Sequence, residues 1–297
     1  ATLTFVDVDL TDTHTVAVSD LDTEAPSGTA LGTLTASITT TATGGATGVV
    51  TWTYEVGNAA VQFLAAGESL DERFTVTVTD PFGGSAEQVV RVTITGVNDD
   101  PFVTAETLTG AITELLEPVG DLSDGGTIAF GDVDLRDAHT VSTAAIGTPL
   151  GTLSAVVTDQ TDAEGANGLV TWTYTVPATA LEFLAEGEER TASFTLTLND
   201  DQGGSFERTI VVTLTGTNDV PAFSLVGDDA LSATISEGPA PRQAAGSVTV
   251  SDVDVLDEVT VSVTGVSTTG PRGGLSDEEL IAMLTLDPDG TPVVASG

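Results

Sequence analysis

Three short stretches of this chain repeat one arrangement of carboxylates. They read DVDLTDTHT at 7–15, DVDLRDAHT at 132–140 and DVDVLDEVT at 252–260. Each places aspartates at its first, third and sixth positions: Asp7, Asp9 and Asp12; Asp132, Asp134 and Asp137; Asp252, Asp254 and Asp257. Carboxylates held this close repel one another unless a cation sits among them. The chain has few cations of its own, with 7 Lys+Arg (all of them Arg) against 45 Asp+Glu. A bound divalent cation is the simplest way to reconcile the clustering with a folded state. Hard cations such as Ca²⁺ take about six to eight oxygen ligands at roughly 2.3–2.6 Å. Short Asp side chains alternating along a loop let two carboxylates reach one ion, and a neighbouring Asn adds a neutral carbonyl. Mg²⁺ gives up its waters reluctantly. Zinc favours Cys and His, and the chain has no Cys and only His14 and His139.

The composition narrows the classes further. A length of 297 residues suggests two or three domains. Hydrophobic residues make up 40% of the chain, enough to build cores, and the abundance of Val, Leu, Ile and Thr favours strands. A formal net charge of −38 argues against nucleic acid and against an anionic membrane surface as partners. Without Cys, disulfides cannot staple the fold, and metal is the alternative. No run of about 18 apolar residues is present to span a membrane. Ala1 is not followed by a basic-then-apolar leader, and the sequence reads as a window of a longer protein.

Internal repetition sets the organisation. VTWTYEV at 50–56 returns as VTWTYTV at 170–176, LAAGE at 64–68 as LAEGE at 184–188, and FTVTVTDPFGGS at 74–85 as FTLTLNDDQGGS at 194–205. VTITGVNDDP at 92–101 returns as VTLTGTNDVP at 212–221. These pairs share one offset of 120 residues, but Asp7 and Asp132 are 125 apart, which predicts a short insertion in the first unit near 40–47. The expected domains are 1–100, lacking its opening segment; 101–220, complete; and 221–297, ending before a Trp-containing strand. Each joint is a bare Asn-Asp-x-Pro, too short for a flexible tether.

Seven strands are expected in the middle unit, at 102–114, 127–131, 139–146, 151–158, 169–176, 191–199 and 205–216. Phe194, Leu196 and Leu198 alternate with Thr195 and Thr197, and Ile210, Val212 and Leu214 repeat the pattern across a hairpin. Between the fifth and sixth strands, Leu181 and Leu184, or Phe183, have the spacing of a helical turn that plugs one end of the core. The expected fold is all-β: tandem immunoglobulin-like β-sandwiches placed end to end.

That topology gives the carboxylates an address. The loops after the second and sixth strands, and the incoming joint, all lie at the top of a sandwich. The candidate metal ligands at the first joint are therefore Asn98, Asp99, Asp100, Asp132, Asp134, Asp137 and Asp200, with Glu68 from the bottom of the preceding unit. At the second joint they are Asn218, Asp219, Asp252, Asp254 and Asp257, facing Glu114 and Glu188. Asp7, Asp9 and Asp12 form a half-site without upstream partners. Asp80 and Asp200 stand equally well as turn residues beside Gly-Gly pairs. His14 and His139 read as structural residues at strand edges, Trp52 and Trp172 as core, and Arg136 as a local counter-charge in its acidic loop.

The unit resembles the VCBS repeat of very large bacterial RTX-type adhesins, through DVDLRDAHT, GLVTWTYTV, LEFLAEGE, FTLTLNDDQGGS and VTLTGTNDVP in that order. It is also cadherin-like in placing a Glu, an Asn-Asp joint and a DxD from the next unit together. The resemblance spans the first two units and the start of the third. It implies Ca²⁺ as the bound ion and tandem extracellular sandwiches exported by type I secretion. Such units extend a cell-surface adhesin in cell adhesion and biofilm, with neighbouring repeats as partners and other cells or surface glycans engaged through further domains. The third unit departs from the pattern: it lacks the His, and Ser276-Asp277-Glu278-Glu279 has the form of a capping box for a short helix through Leu284, followed by a turn at 287–290. No catalytic constellation assembles: there is no Cys, GxSxG, HExxH or phosphate loop. The other readings are a glycan- or surface-polymer-binding module, for which Phe82 is the one candidate contact, and spacer domains of an extracellular degradative enzyme.

Overall fold

Thr alternating with Val, Leu, Ile or Phe gives a strand one polar and one apolar face, and this chain folds by closing its apolar faces together. The computed structural model describes residues 1–286 and the strand pairing at 293–294. The first strands are β1 (Thr2–Val6), β2 (Thr15–Thr23), β3 (Thr33–Thr40), β4 (Thr47–Glu55), β5 (Ser69–Thr79) and β6 (Ser85–Thr95). They form two three-stranded sheets, β1-β4-β3 and β2-β5-β6, with Leu34, Val50, Phe74, Val76, Val78 and Val90 buried between them.

The next strands are β7 (Phe102–Glu106), β8 (Thr109–Thr113), β9 (Asp121–Gly131), β10 (Thr140–Ile146), β11 (Thr152–Asp159), β12 (Gly168–Pro177), β13 (Glu189–Asn199) and β14 (Ser205–Thr215). They form two four-stranded sheets, β11-β12-β9-β7 and β10-β13-β14-β8. The architecture is thus all-β, with consecutive immunoglobulin-like two-sheet sandwiches. In the second sandwich Trp172, Tyr174, Phe130, Leu196, Leu198 and Ile210 are fully buried. Burying a side chain of that size contributes about 1.5–3 kcal/mol. A 3₁₀ turn at Ala178–Ala180 leads into Leu181 and Leu184, both fully buried as the expected plug, with Phe183 packed against the cluster.

Three features depart from the sequence-based expectation. The strand expected over 102–114 is two strands. β7 pairs antiparallel with β9, then the chain crosses to the other sheet and β8 pairs parallel with β14. Trp172 Nε1 donates to the Thr107 carbonyl at 2.8 Å and the Val211 amide to the Leu108 carbonyl at 2.9 Å, so the crossover itself is hydrogen-bonded. Second, β9 starts at Asp121 and runs through Gly125 and Gly126. A Cβ at Gly126 would sit 2.7 Å from the Trp172 indole, so the glycine makes room for the ring inside a continuous strand. Third, the insertion is not at 40–47. Thr15 to Thr33, the starts of β2 and β3, spans 18 positions, whereas Thr140 to Thr152, the starts of β10 and β11, spans 12. The extra residues lengthen the end of β2 and the β2–β3 connection, which carries Glu24 and Pro26.

The two sandwiches also differ at one buried position. Glu72 in β5 is fully buried and accepts hydrogen bonds from the Tyr54 hydroxyl at 2.7 Å, from Thr23 Oγ1 at 3.3 Å and from the Leu31 and Gly32 amides. Ala192 holds the corresponding place in β13, and there the Tyr174 hydroxyl donates to the Leu150 carbonyl instead.

Beyond the second sandwich, β15 (Ala222–Ser224) pairs with β16 (Thr249–Ser251), and β17 (Glu258–Val259) with β18 (Val293–Val294). The helix α1 (Asp277–Ile281) opens with the expected capping box, the Glu279 amide donating to the Ser276 side chain and Glu279 reaching back to the Ser276 amide. It ends at Ile281, short of Leu284. The turn expected at 287–290 lies outside the described residues.

Candidate metal centres

The loop after β9 coils its carboxylates inward. The Asp132 amide donates to the Gly165 carbonyl at 2.8 Å, the Asp134 amide to Asp132 Oδ1 at 3.0 Å, and the Asp137 amide to the Asp134 carbonyl at 3.2 Å. Across the end of the sandwich, the β13–β14 hairpin brings in Asp200. Its Oδ1 accepts the Gln202, Gly203 and Gly204 amides at 2.8, 2.9 and 2.9 Å. Asp132, Asp137 and Asp200 then offer carboxylate oxygens within 4.8 Å of one another.

The Asn-Asp joint is sewn to the same end. Asn98 Nδ2 donates to Asp200 Oδ2 at 2.8 Å, and the Asp99 amide to Asp134 Oδ2 at 2.8 Å. Gly204 makes this convergence possible: a Cβ there would collide with the Asp200 and Asp100 carboxylates. Behind the cluster, His139 Nε2 lies 3.0 Å from Asp132 Oδ2, and its Nδ1 lies 3.1 Å from Gln160 Oε1. The histidine therefore orients a carboxylate and remains structural, as expected.

Asp132, Asp134 and Asp200 are fully buried. Among the described residues, Asp134 Oδ1, Asp137 Oδ2 and Asn98 Oδ1 are buried acceptors with no hydrogen-bond donor. Burial, followed by the neighbouring Asp134, Asp132 and Asp200 charges, pushes the Asp137 carboxyl up to about 6. Asp134 is raised for the same leading reason. Asp200 goes the other way: burial pushes it up, but the bonds from Asn98 and the hairpin amides outweigh that and hold it below its usual value.

A second cluster joins the bottom of the second sandwich to the next joint. Glu114, Glu182 and Asp219 bring carboxylate oxygens within 4.8 Å of one another. Glu114, at the end of β8, donates its amide to the Thr215 carbonyl at 2.9 Å, and its Oε2 accepts the Thr217 amide at 3.0 Å. The Asp219 amide donates to Asp254 Oδ2 at 2.8 Å, and the Asp254 amide to Asp252 Oδ1 at 3.1 Å, as the Asp99 and Asp134 amides do at the first joint. Glu114 is 3% exposed and Asp254 fully buried. Glu114 Oε1, Glu182 Oε1, Asp219 Oδ2 and Asp254 Oδ1 have no donor among the described residues. Burial first, and then Asp219, Glu182 and Asp254, push Glu114 up to about 7 against the pull of the Thr217 amide.

The third cluster, Asp7, Asp12 and Asp80, repeats the first on the opening sandwich. The Asp9 amide donates to Asp7 Oδ1 at 2.9 Å, His14 Nε2 lies 3.0 Å from Asp7 Oδ2, and the Phe82 and Gly84 amides donate to Asp80 Oδ1 at 2.7 and 2.9 Å. Asp12 is 8% exposed and its Oδ2 lacks a donor among the described residues.

The remaining candidates stand outside these three sets. Asp9 and Asp100 are exposed and Asp257 half-buried. Asn218 donates to the Asp219 carbonyl at 2.6 Å. Glu188 Oε1 accepts from Arg190 at 3.1 Å. Glu68 Oε1 pairs with Arg136 at 3.0 Å, so Arg136 reaches across the joint and is not the local counter-charge of its own loop. Sequence reasoning missed Glu182. The one signal available was that Gln62 occupies its place in the otherwise similar first unit.

Oxygen-only donors, several carboxylates per cluster, and buried lone pairs without donors fit a hard divalent cation of the Ca²⁺ type. They do not fit zinc, since each imidazole faces an aspartate from behind. Among the described residues no helix is long and apolar enough to cross a membrane.

No protein-family model matches the chain, and no curated protein does. Similar solved structures include the Protocadherin GammaB4 extracellular domain, 16% identical over 89% of this chain and 38% of that one, TM-score 0.37. Cadherin-like domains 1 to 4 of zebrafish RET are 12% identical over 69% of this chain and 41% of that one, TM-score 0.31. The chain therefore spans less than half the length of either. AggA, the major subunit of aggregative adherence fimbriae type I from Escherichia coli, is 14% identical over 41% of this chain and 98% of that one, TM-score 0.27.

Proposed function

We propose that this chain is a calcium-stiffened extender segment of a secreted bacterial cell-surface adhesin of the VCBS-repeat, RTX-associated type, with no enzymatic role. The observation that carries this reading is the set of buried carboxylate oxygens without donors at both joints, chiefly Asp134 Oδ1, Glu114 Oε1 and Asp254 Oδ1. Leaving such groups unpaired is costly, and a Ca²⁺ ion relieves several at once. Ions in the upper clusters fix the incoming Asn-Asp joint to its sandwich, and the cluster at Glu114 ties the bottom of one unit to the top of the next. Extracellular modules bind calcium at about 10⁻⁴–10⁻³ M, so external calcium sets the stiffness. The expected location is the cell surface, exported by type I secretion, with neighbouring repeats as the immediate partners.

Small-angle scattering and thermal melting in about 2 mM calcium and in EDTA test this. Calcium is expected to raise the melting temperature and narrow the spread of molecular dimensions; identical curves in the two conditions would sink the reading. A glycan-binding role has one observation in its favour, Phe82 at 86% exposure on the tip of the β5–β6 hairpin, where the second sandwich has Gln202. Saturable binding on a glycan array that Phe82→Ala abolishes would establish it.

A further inference from the structure

β8 is an outer strand of the second sandwich, paired only with β14. Its sequence, Thr109-Gly110-Ala111-Ile112-Thr113, has no charge and no Pro, in a chain with 45 Asp+Glu. Charge and Pro are the usual means of blunting a strand edge against further pairing. The bonds that flank β8 fix which way its backbone faces. The Val211 amide donates to the Leu108 carbonyl, and the Glu114 amide to the Thr215 carbonyl. The even-numbered residues therefore turn their backbone groups to β14, and Thr109, Ala111 and Thr113, all exposed, turn theirs outward. An edge of this kind is a template for another chain.

One side chain from the opposite sheet occupies the middle of that edge. Asp124 of β9 is half-buried and shares the inward parity of Leu122, Gly126 and Ile128. Its Oδ2 accepts the Ala111 amide at 2.8 Å, and its Oδ1 accepts the Gly125 amide at 2.8 Å. Gly110 makes room for this reach, since a Cβ there would lie 2.8 Å from Asp124 Oδ2. The other outer strands are treated differently. β7 and β11 break register, between Val103 and Ala105 and between Val157 and Asp159. Thr143 Oγ1 of β10 donates to the Leu153 carbonyl of β11 at 3.0 Å, so a side chain also closes the far side of the sandwich. β8 keeps an unbroken register with β14.

We propose that Asp124 guards the β8 edge against a second copy of this chain, by holding the amide that the copy would otherwise take. The arrangement it excludes is β8 against β8, antiparallel across a two-fold axis centred on Ala111. There each Ala111 amide would reach the Ala111 carbonyl of the other copy, and two four-stranded sheets would join into one. With Asp124 in place, the incoming carbonyl meets a carboxylate, acceptor against acceptor, with no proton between them. β8 has no charge of its own to oppose the pairing, so the carboxylate that opposes it is lent by β9. This edge lies along the side of the sandwich and involves no ion, so the inference is independent of the calcium reading.

Sedimentation velocity of the full chain over a range of protein concentrations, in calcium and in EDTA, tests this. Asp124→Ala is expected to lower the concentration at which dimers appear by at least about tenfold in both conditions. Asp124→Asn, which keeps an acceptor oxygen of the same reach, should stay close to the unsubstituted chain. Adding Ala111→Pro to Asp124→Ala should reverse the association, because Pro removes the outward N–H and leaves the bonds to β14 in place. Gly110→Ala pushes the carboxylate away without deleting it and is expected to act as Asp124→Ala does. It is read instead if Asp124→Ala loses the strand signature in circular dichroism. A folded variant that associates no more than the unsubstituted chain, or dimers that persist with Ala111→Pro, overturn the inference. Loss of the strand signature in both variants makes Asp124 a tie between the two sheets and overturns it as well.

Discussion

Glu114 shows at single-residue scale what the clusters demand of the fold. Its carboxyl is pushed up to about 7 by burial and then by its acidic neighbours, and Asp137 is pushed to about 6 for like reasons. In the cation-free chain the folded state therefore holds protons that the unfolded chain releases near its ordinary carboxylate values. The sign follows from linkage: stability from these groups is fully present below about pH 4 and is lost as pH rises through about 6 to 7. His139 adds in the same sense. Burial pushes it down, but its bonds to Asp132 and Gln160 outweigh that and raise it. Asp200, held low by its donors, loses its contribution only in stronger acid. In EDTA the melting temperature is expected to rise on acidification from about pH 7.5 to about pH 5, a direction opposite to that of a protein held by ordinary carboxylate pairs. Saturating calcium, which binds the ionised forms, should abolish or invert the slope. A melting temperature that falls over that interval in EDTA would contradict the assignment.

At the scale of elements, the β13–β14 hairpin is what allows Asp200, Asp100 and Asn98 to meet, and Gly204 is its open point. Gly204→Ala places a methyl group against both carboxylates. It is expected to weaken calcium binding at that cluster about tenfold, roughly 1.4 kcal/mol, in a calorimetric titration, while the same change at exposed Gly187 would serve only to report backbone strain. The strands themselves were legible because Thr alternates with large apolar residues, and β10 to β14 lie within a residue or two of expectation. The crossover between β7 and β8 was not legible. Thr107 and Leu108 carry no Gly or Pro signal, and the switch of sheets is imposed by the Trp172 indole and the β14 edge, which are remote in sequence. The insertion was legible although misplaced: LGTL at 31–34 returns at 150–153, an offset of 119 that puts the extra residues between Thr15 and Leu31. At the site, repetition exposed the aspartates but concealed Glu182. That residue follows a core-plugging Leu181, and its role depends on meeting Glu114 from a distant strand. Glu72 was hidden for the related reason that four donors from three segments satisfy it only in the folded state.

At the scale of the whole molecule, a net charge of −38 is gathered in part at the ends of the sandwiches. One further consequence follows from the pairing of β8 with β14. They are the first and last strands of that sheet's path through the second sandwich, and they run parallel over Thr109–Thr113 against Val211–Thr215. Tension applied through the two joints draws β8 backwards and β14 forwards, along their common axis. The hydrogen bonds between them are then sheared together and cannot be peeled one at a time. In a single-molecule stretching experiment, pulling the second sandwich from its two joints should require a markedly higher force than pulling it between β11 and β12, whose antiparallel hairpin opens bond by bond; equal forces in the two geometries would count against this.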